Sequence, residues 1–234
     1  MANIEPTFWC IVPAAGRSAR FGGEIPKQYL PLAGKPMLMH TLTRLALHPR
    51  IAGIMVVLAP KDAYWAGMGS LRGKPVRTAL GGEERADSVL AGLRALRDVV
   101  PNDEYVLVHD AARPCVRAAD ITRLIEQAAP VGGGLLAAPL RDTLKRAGTD
   151  QRVVVTEPRE ARWRALTPQM FRLGELASAL ESAGGGAAIT DEAMAMERSG
   201  QRPLLVEGSD DNIKVTTAAD VALAEFLLAR TAES

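Results

Sequence analysis

The first feature with chemical content is a run of small residues followed by two cations. Pro13-Ala14-Ala15-Gly16 leads through Arg17-Ser18-Ala19-Arg20-Phe21-Gly22-Gly23 to Pro26-Lys27-Gln28-Tyr29-Leu30. Small side chains let backbone N–H groups come close to phosphate oxygens. Arg20 and Lys27 set fixed positive charge beside the same bend. A triphosphate needs both, donors for its oxygens and cations for the charge that builds during transfer. The run is not a P-loop, since no G-x-x-x-x-G-K-[ST] occurs. Nor is it a dinucleotide fingerprint, because Ser18 stands where the second glycine of G-x-G-x-x-G would fall. A turn that used small residues only for packing would leave the two cations unexplained.

Two further loops carry candidates. In Gly81-Gly82-Glu83-Glu84-Arg85-Ala86-Asp87-Ser88 the paired glycines permit a flat base to approach the backbone. Ser88 can bond to a base edge or a ribose, although Asp87 or Ser88 would equally serve as a helix cap. Asp110-Ala111-Ala112-Arg113-Pro114 follows an apolar strand. A carboxylate there can reach a ribose hydroxyl, a substrate hydroxyl or Mg²⁺. Arg113 can reach a phosphate or pair with Asp110, and His109 reads as a packed residue. Late in the chain stand Arg159, Thr167, Thr190-Asp191-Glu192 and Asn212-Ile213-Lys214. Taken singly, these read as helix caps or solvated surface charges.

The elements that must hold these residues follow from the apolar pattern. Phe8–Val12, Ile51–Ala59, Val76–Leu80, Tyr105–Val108, Gly134–Ala138 and Leu204–Val206 read as strands. Between them, helices are expected from Pro36 through Leu47, through Val89–Leu96, around Ile121–Ile125 and from near Asp191. A final helix is expected over Ala218–Ala229, with Val221, Leu223, Phe226 and Leu227 on one face against the sheet. Strands alternating with helices predict an α/β fold, a mostly parallel sheet flanked by helices. Leu140–Thr156 breaks the rhythm. Thr143–Arg146 and Arg152–Val155 read as two strands around the turn-like Ala147-Gly148-Thr149-Asp150. An isolated hairpin is marginal in water, so this arm should rest on something, a second subunit being the natural candidate.

The 234 residues suit one such domain over 1–234, with an arm at about 139–160 and no fused second enzyme. Hydrophobic residues make up 47% and charged residues 24%, enough for a real core. A net charge of +1 argues against a nucleic-acid partner. Two cysteines, Cys10 and Cys115, form no C-x-x-C, and His40, His48 and His109 lack zinc-site spacing. With no membrane-length apolar run and a polar Met1–Thr7, the expectation is a soluble, cytoplasmic protein.

Taken in order, these motifs resemble the 2-C-methyl-D-erythritol 4-phosphate cytidylyltransferase family of the non-mevalonate isoprenoid pathway. The resemblance runs over nearly the whole chain: the Pro13–Gly16 loop with Arg20 and Pro26-Lys27-Gln28-Tyr29, Gly81–Ser88, Val108–Pro114, Asp142-Thr143, Leu166–Gln169, Thr190-Asp191-Glu192 and Asn212–Thr216. It implies a Rossmann-like sheet of the nucleotide-diphospho-sugar transferase type. It also implies that Arg20 and Lys27 stabilise the transition state, and that Arg159 and Lys214 position the acceptor phosphate. CTP would be held by Pro13, Ala14, Ala15, Gly16, Gly82, Glu83, Ser88 and Ala111. The acceptor, a sugar-alcohol phosphate, would meet Asp110, Arg113, Thr143, Arg159, Thr167, Thr190 and Lys214. Mg²⁺ is the expected cofactor, with Asp110 as its candidate ligand. The arm would cross to the partner in a homodimer, taking Thr143 and Arg159 to the neighbour's site. Ser18, in place of a common glycine, and Glu83, in place of a common Asp, depart from the family pattern.

The rivals are a cytidylyltransferase for another polyol phosphate such as ribitol 5-phosphate, a non-catalytic nucleotide-binding regulatory domain, and a glycosyltransferase. The Arg20–Lys27 pair speaks against the second, and the lack of an Asp-x-Asp metal motif against the third. The choice of cytosine comes from the resemblance alone.

Overall fold

Strand β1 (Phe8–Pro13) is buried on both faces, which is why it reads as an apolar run rather than an alternation. The computed structural model describes residues 6–16, 25–183 and 189–232. Cys10 and Val12 enter the core on one face of the sheet, and Ile11 enters the core on the other. β1 pairs in parallel with β4 (Ile51–Leu58) and β7 (Tyr105–Val108), and β4 pairs in parallel with β6 (Lys74–Leu80). Beyond β6 lies the two-residue β5 (Ser70–Leu71). Beyond β7 lie β11 (Trp163–Arg172), β8 (Gly134–Pro139) and β12 (Leu204–Glu207). The sheet order is β12-β8-β11-β7-β1-β4-β6-β5.

One face is covered by α1 (Met37–Leu47) and α3 (Ala118–Ala128), through Leu38, Leu42, Leu45, Ile121, Leu124 and Ile125. The other is covered by α2 (Arg85–Leu96), α4 (Leu173–Ser182) and α5 (Glu192–Arg198), through Val89, Leu93, Leu176 and Met196. From β1 the chain moves outward through β4 to β6, then returns to place β7 on the opposite side of β1. That reversal opens a crevice at the carboxyl ends of the strands, where open α/β sheets bind ligands. The loops after β1, β6 and β7 meet there. Among the described residues, no helix is long and apolar enough to cross a membrane.

Three departures from the sequence reading are instructive. First, β11 and α4 carried no expectation. β11 runs antiparallel between β7 and β8, yet it contains Pro168 behind a cis peptide bond. A proline inside a central strand ordinarily argues against a strand. A register shift between Ala165 and Gln169 accommodates it here. Second, α6 (Ala218–Ala232) turns a different face inward. Val221, Ala224, Leu227 and Leu228 pack on Leu32, Met37, Ala112, Cys115 and Val215, and not on the sheet. Leu223 and Phe226 are exposed. A helix turns about 100° per residue, so Leu223 lies nearly opposite Val221. Third, β2 (Pro31–Leu32) and β3 (Lys35–Pro36) form a small hairpin before α1.

The arm is present. β9 (Leu144–Ala147) and β10 (Val153–Glu157) pair antiparallel in a sheet of their own. Val153, Val154 and Val155 are all exposed on it.

Candidate active site

Strand pairing sets the site. The Ala14 N–H donates to Val57 O at 2.8 Å and the Gly81 N–H to Leu58 O at 2.8 Å. The His109 N–H donates to Ile11 O at 2.9 Å. Each of the three loops is therefore tied to the strand beside it where it leaves the sheet. The buried Gln28 adds a latch, its Nε2 donating to Ala14 O at 2.6 Å. This draws the short helical turn Lys27–Tyr29 over the first loop.

Between these loops is a cavity of about 160 Å³. Of the residues expected to bind CTP, Pro13, Ala14, Ala15, Gly16, Gly82, Glu83, Ser88 and Ala111 all line it. Lys27, Asp110 and Lys214 line it as well. Arg20 and Ser18 lie outside the described residues. Gly16 has open space where a side chain would project, leaving room beside the backbone. Gly81 has none. A Cβ there would stand 2.6 Å from both the Ala15 Cβ and the Ser88 Oγ, so this glycine lets the first and second loops touch. At Gly82 a Cβ would collide with that of Asp87. Both positions are thus required by packing between protein groups, a role the sequence did not disclose.

The helix cap is only partly the expected one, since Asp87 takes part in it but is not the N-cap. Glu84 is the N-cap of α2, and Asp87 reaches back to accept from the Glu84 N–H at 3.1 Å. Ser88 is buried, and its hydroxyl donates to Glu84 O at 3.2 Å.

Asp110 lines the cavity and gathers three cations. Its Oδ1 accepts from Arg85 Nε at 3.1 Å, and its Oδ2 from Lys214 Nζ at 2.9 Å and Arg113 Nε at 3.3 Å. Burial alone would raise its pKa, but Arg85, Lys214 and Arg113 together hold the carboxyl well below the usual range. Arg113 is not in the cavity wall. It lies behind Asp110, donating to Asn212 O at 2.7 Å and Ala165 O at 3.4 Å, and burial pulls its pKa down.

Thr167 is buried below Asp110 instead of facing the cavity. Its hydroxyl accepts from the Asp110 N–H at 3.1 Å and contacts His109 Nδ1 at 2.9 Å. His109 Nε2 lies 3.0 Å from Arg113 O. A carbonyl can only accept, so Nε2 carries the proton, and the Thr167 hydroxyl donates to Nδ1. Burial lowers the His109 pKa to about 4, which keeps the ring neutral. The packed role expected for His109 is therefore correct, and its packing supports the Asp110 backbone.

The remaining candidates are scattered. Thr143 immediately precedes the arm's first strand and Arg159 follows its second, where Arg159 Nη1 donates to Arg141 O at 2.5 Å. Neither lines this chain's cavity. Thr190 is exposed just before α5, while Asp191 supplies the cap by accepting from the Met194 N–H at 2.9 Å. Sequence reasoning assigned no role to Arg85, Glu192 or Gln169. Arg85 clamps Glu192 through Nη1 at 2.6 Å and Nη2 at 3.1 Å. Gln169 accepts from the Ala193 N–H at 2.7 Å and donates to Asp191 at 3.0 Å. The only sequence signal for the clamp was one Arg beside the paired glycines and one Glu in a cap-like triplet.

Among the described residues, no group of three or more His, Cys, Asp or Glu is disposed to hold a metal ion. Both Asp110 oxygens are engaged by cations. The described residues do not make a metal cage.

The chain is similar to known proteins over nearly its whole length. The family model for 2-C-methyl-D-erythritol 4-phosphate cytidylyltransferase matches residues 8–230. A protein of that name from Stenotrophomonas maltophilia (strain R551-3) is 60% identical over 232 residues, covering 98% of this chain and all of the relative. One from Xanthomonas euvesicatoria pv. vesicatoria (strain 85-10) is 59% identical, covering 95% of this chain and 85% of the relative. A crystal structure of 4-diphosphocytidyl-2C-methyl-D-erythritol synthase superposes with a TM-score of 0.81 at 35% identity, over 96% of this chain and 100% of the other. The Francisella tularensis 2-C-methyl-D-erythritol 4-phosphate cytidylyltransferase gives 0.78 at 37% identity, over 94% and 99%.

Proposed function

The chain belongs to the 2-C-methyl-D-erythritol 4-phosphate cytidylyltransferase family, nucleotidyltransferases of isoprenoid biosynthesis, and from that premise we propose how its own residues carry the reaction. The substrates are CTP and 2-C-methyl-D-erythritol 4-phosphate. The products are 4-diphosphocytidyl-2-C-methyl-D-erythritol and pyrophosphate. One observation carries the reading: the small-residue loop with Lys27 and the Asp110–Lys214 pair line a single cavity.

CTP lies along Pro13–Gly16, with its base toward Gly82, Glu83 and Ser88 and its ribose toward Ala111 and Asp110. The acceptor phosphate carries a charge of about −1.5 to −2 at pH 7, so it is a nucleophile without a general base. One of its oxygens attacks the α-phosphorus in line. The new P–O bond forms as the α–β bridge breaks, and the electron pair of that bridge leaves on pyrophosphate. Lys27 and Arg20 offset the charge that accumulates. Lys214 and Arg159 hold the attacking phosphate, while Asp110 and Thr190 address the acceptor hydroxyls. Arg113 and Thr167, buried behind Asp110, act by fixing it.

The reading includes a homodimer in which Thr143 and Arg159 reach the neighbouring site. The three exposed valines of the arm support it, since apolar groups on an isolated hairpin gain by being covered. Mg²⁺ is the proposed cofactor and would supply charge neutralisation to the triphosphate; among the described residues there is no cage of His, Cys, Asp or Glu for it. A cytoplasmic location fits two buried, unpaired cysteines.

The test is an acceptor panel scored by pyrophosphate release with CTP, with and without a chelator. Turnover with 2-C-methyl-D-erythritol 4-phosphate far above that with ribitol 5-phosphate is expected. Preference for ribitol 5-phosphate, or CTP binding without turnover on any acceptor, would overturn it.

A further inference from the structure

Arg85 lines the cavity beside Asp110 and is backed by the buried Glu192, a pair that the substrate-contact assignments above do not use. Glu192, at the first turn of α5, is 1% exposed. Arg85 grips both of its oxygens and uses its remaining Nε on Asp110 Oδ1. The start of α5 is itself pinned, because Gln169 holds both the Ala193 N–H and Asp191. Glu192 therefore has little freedom to follow Arg85. A guanidinium held as a fork at one end is a rigid strut at the other.

The cluster contains two carboxylates, Asp110 and Glu192, and three cations, Arg85, Arg113 and Lys214. One positive charge is in excess. Side-chain exposure shows where it can act: Lys214 is 40% exposed, Arg85 25% and Arg113 10%. Lys214 is the most exposed of the three and meets Asp110 through one contact, whereas Arg85 is also clamped on Glu192. Lys214 is therefore the cation best placed to turn to an arriving anion. Asp110 keeps two arginines when it does.

We propose that Arg85 and Glu192 are positioning residues of the acceptor site, their pair anchoring Asp110 Oδ1 so that Lys214 is shared between Oδ2 and the incoming phosphate. This rests on the reading of Lys214 as an acceptor-phosphate contact. Without the Glu192 charge, Arg85 is free to take over Asp110 and leave its fixed position. The acceptor end then loses its geometry, while the CTP loops keep their own ties to the sheet.

The test is steady-state kinetics on the intact enzyme with three variants. Glu192→Gln is expected to raise the KM for the acceptor by roughly tenfold or more while the KM for CTP stays within about twofold. The double variant Arg85→Met with Glu192→Met removes both buried charges and should recover thermal stability. Its acceptor KM should nevertheless stay high, an outcome a purely structural pair would not give. An unchanged acceptor KM in Glu192→Gln overturns the proposal. So does an equal rise in both KM values that the double variant reverses together with its melting temperature. Lys214→Met separates the two levels of the argument. If its acceptor KM is normal, the acceptor-site reading itself fails; if it is raised while Glu192→Gln is normal, only the positioning role fails.

Discussion

Acidification from pH 7 to pH 5 is expected to destabilise the fold by about 2 kcal/mol through His109 alone. The ring is fully buried and its pKa is lowered from 6.5 to about 4, chiefly by burial. Its Nδ1 is an acceptor for Thr167 and its Nε2–H is committed to Arg113 O, so a second proton has no partner. Between the two pKa values the unfolded chain binds a proton that the folded protein refuses. The stabilising contribution is complete above pH 6.5 and disappears as pH falls toward 4. Each pKa unit corresponds to about 1.4 kcal/mol, giving about 3 kcal/mol in all, with about 2 of it between pH 7 and pH 5. His48, also lowered chiefly by burial, adds in the same direction. The assay is urea unfolding at pH 7, 6 and 5 for the wild type and for His109→Gln, which can donate and accept but does not titrate. The wild type should lose about 2 kcal/mol more than the variant across that range. Equal losses would refute the assignment of a neutral, buried His109. Ordinary carboxylates do not interfere, because they titrate near pH 4 when unfolded.

Lys27→Ala is expected to lower kcat at least about a hundredfold, a loss of about 3 kcal/mol in transition-state stabilisation, with an unchanged circular dichroism spectrum. Near-normal turnover would remove Lys27 from the mechanism. Gly81→Ala puts a methyl group against Ala15 and Ser88, so the two nucleotide loops must part. Its KM for CTP, measured by pyrophosphate release, should rise by roughly tenfold or more, and an unchanged value would show that the loops adjust freely. Val154→Asp together with Val155→Asp charges the exposed face of the arm. Analytical ultracentrifugation is expected to show a dimer for the wild type and a monomer for the variant, with activity lost in parallel; a wild-type monomer would overturn the dimer reading.

Parallel strands buried on both faces announce themselves as apolar runs, so β1, β4, β7 and β8 were legible in the sequence with bounds close to those observed. Pro13–Gly16 was legible too as a lining of the cavity, because a run of small residues directly after a strand is a local pattern. The arm could be read from its turn residues and from the break in the apolar rhythm at Leu140–Thr156. β11 was not, because Pro168 contradicts the pattern of a central strand and only the register shift beside it resolves the conflict.

The network around Asp110 belonged to tertiary structure. Arg85 and Glu192 are 107 residues apart, and His109 and Thr167 are 58 apart. No periodicity links such positions. Strand order brings them together, and their hydrogen bonds depend on which carbonyl or hydroxyl the register presents. The sequence by itself determined the chemistry available, small loops and cations suited to a triphosphate. The folded chain alone decided which of those groups face the cavity and which, like Arg113 and Thr167, are committed to holding Asp110 in place. A side chain's donors can be counted from its type, but whom they reach is set by packing between elements distant in the chain.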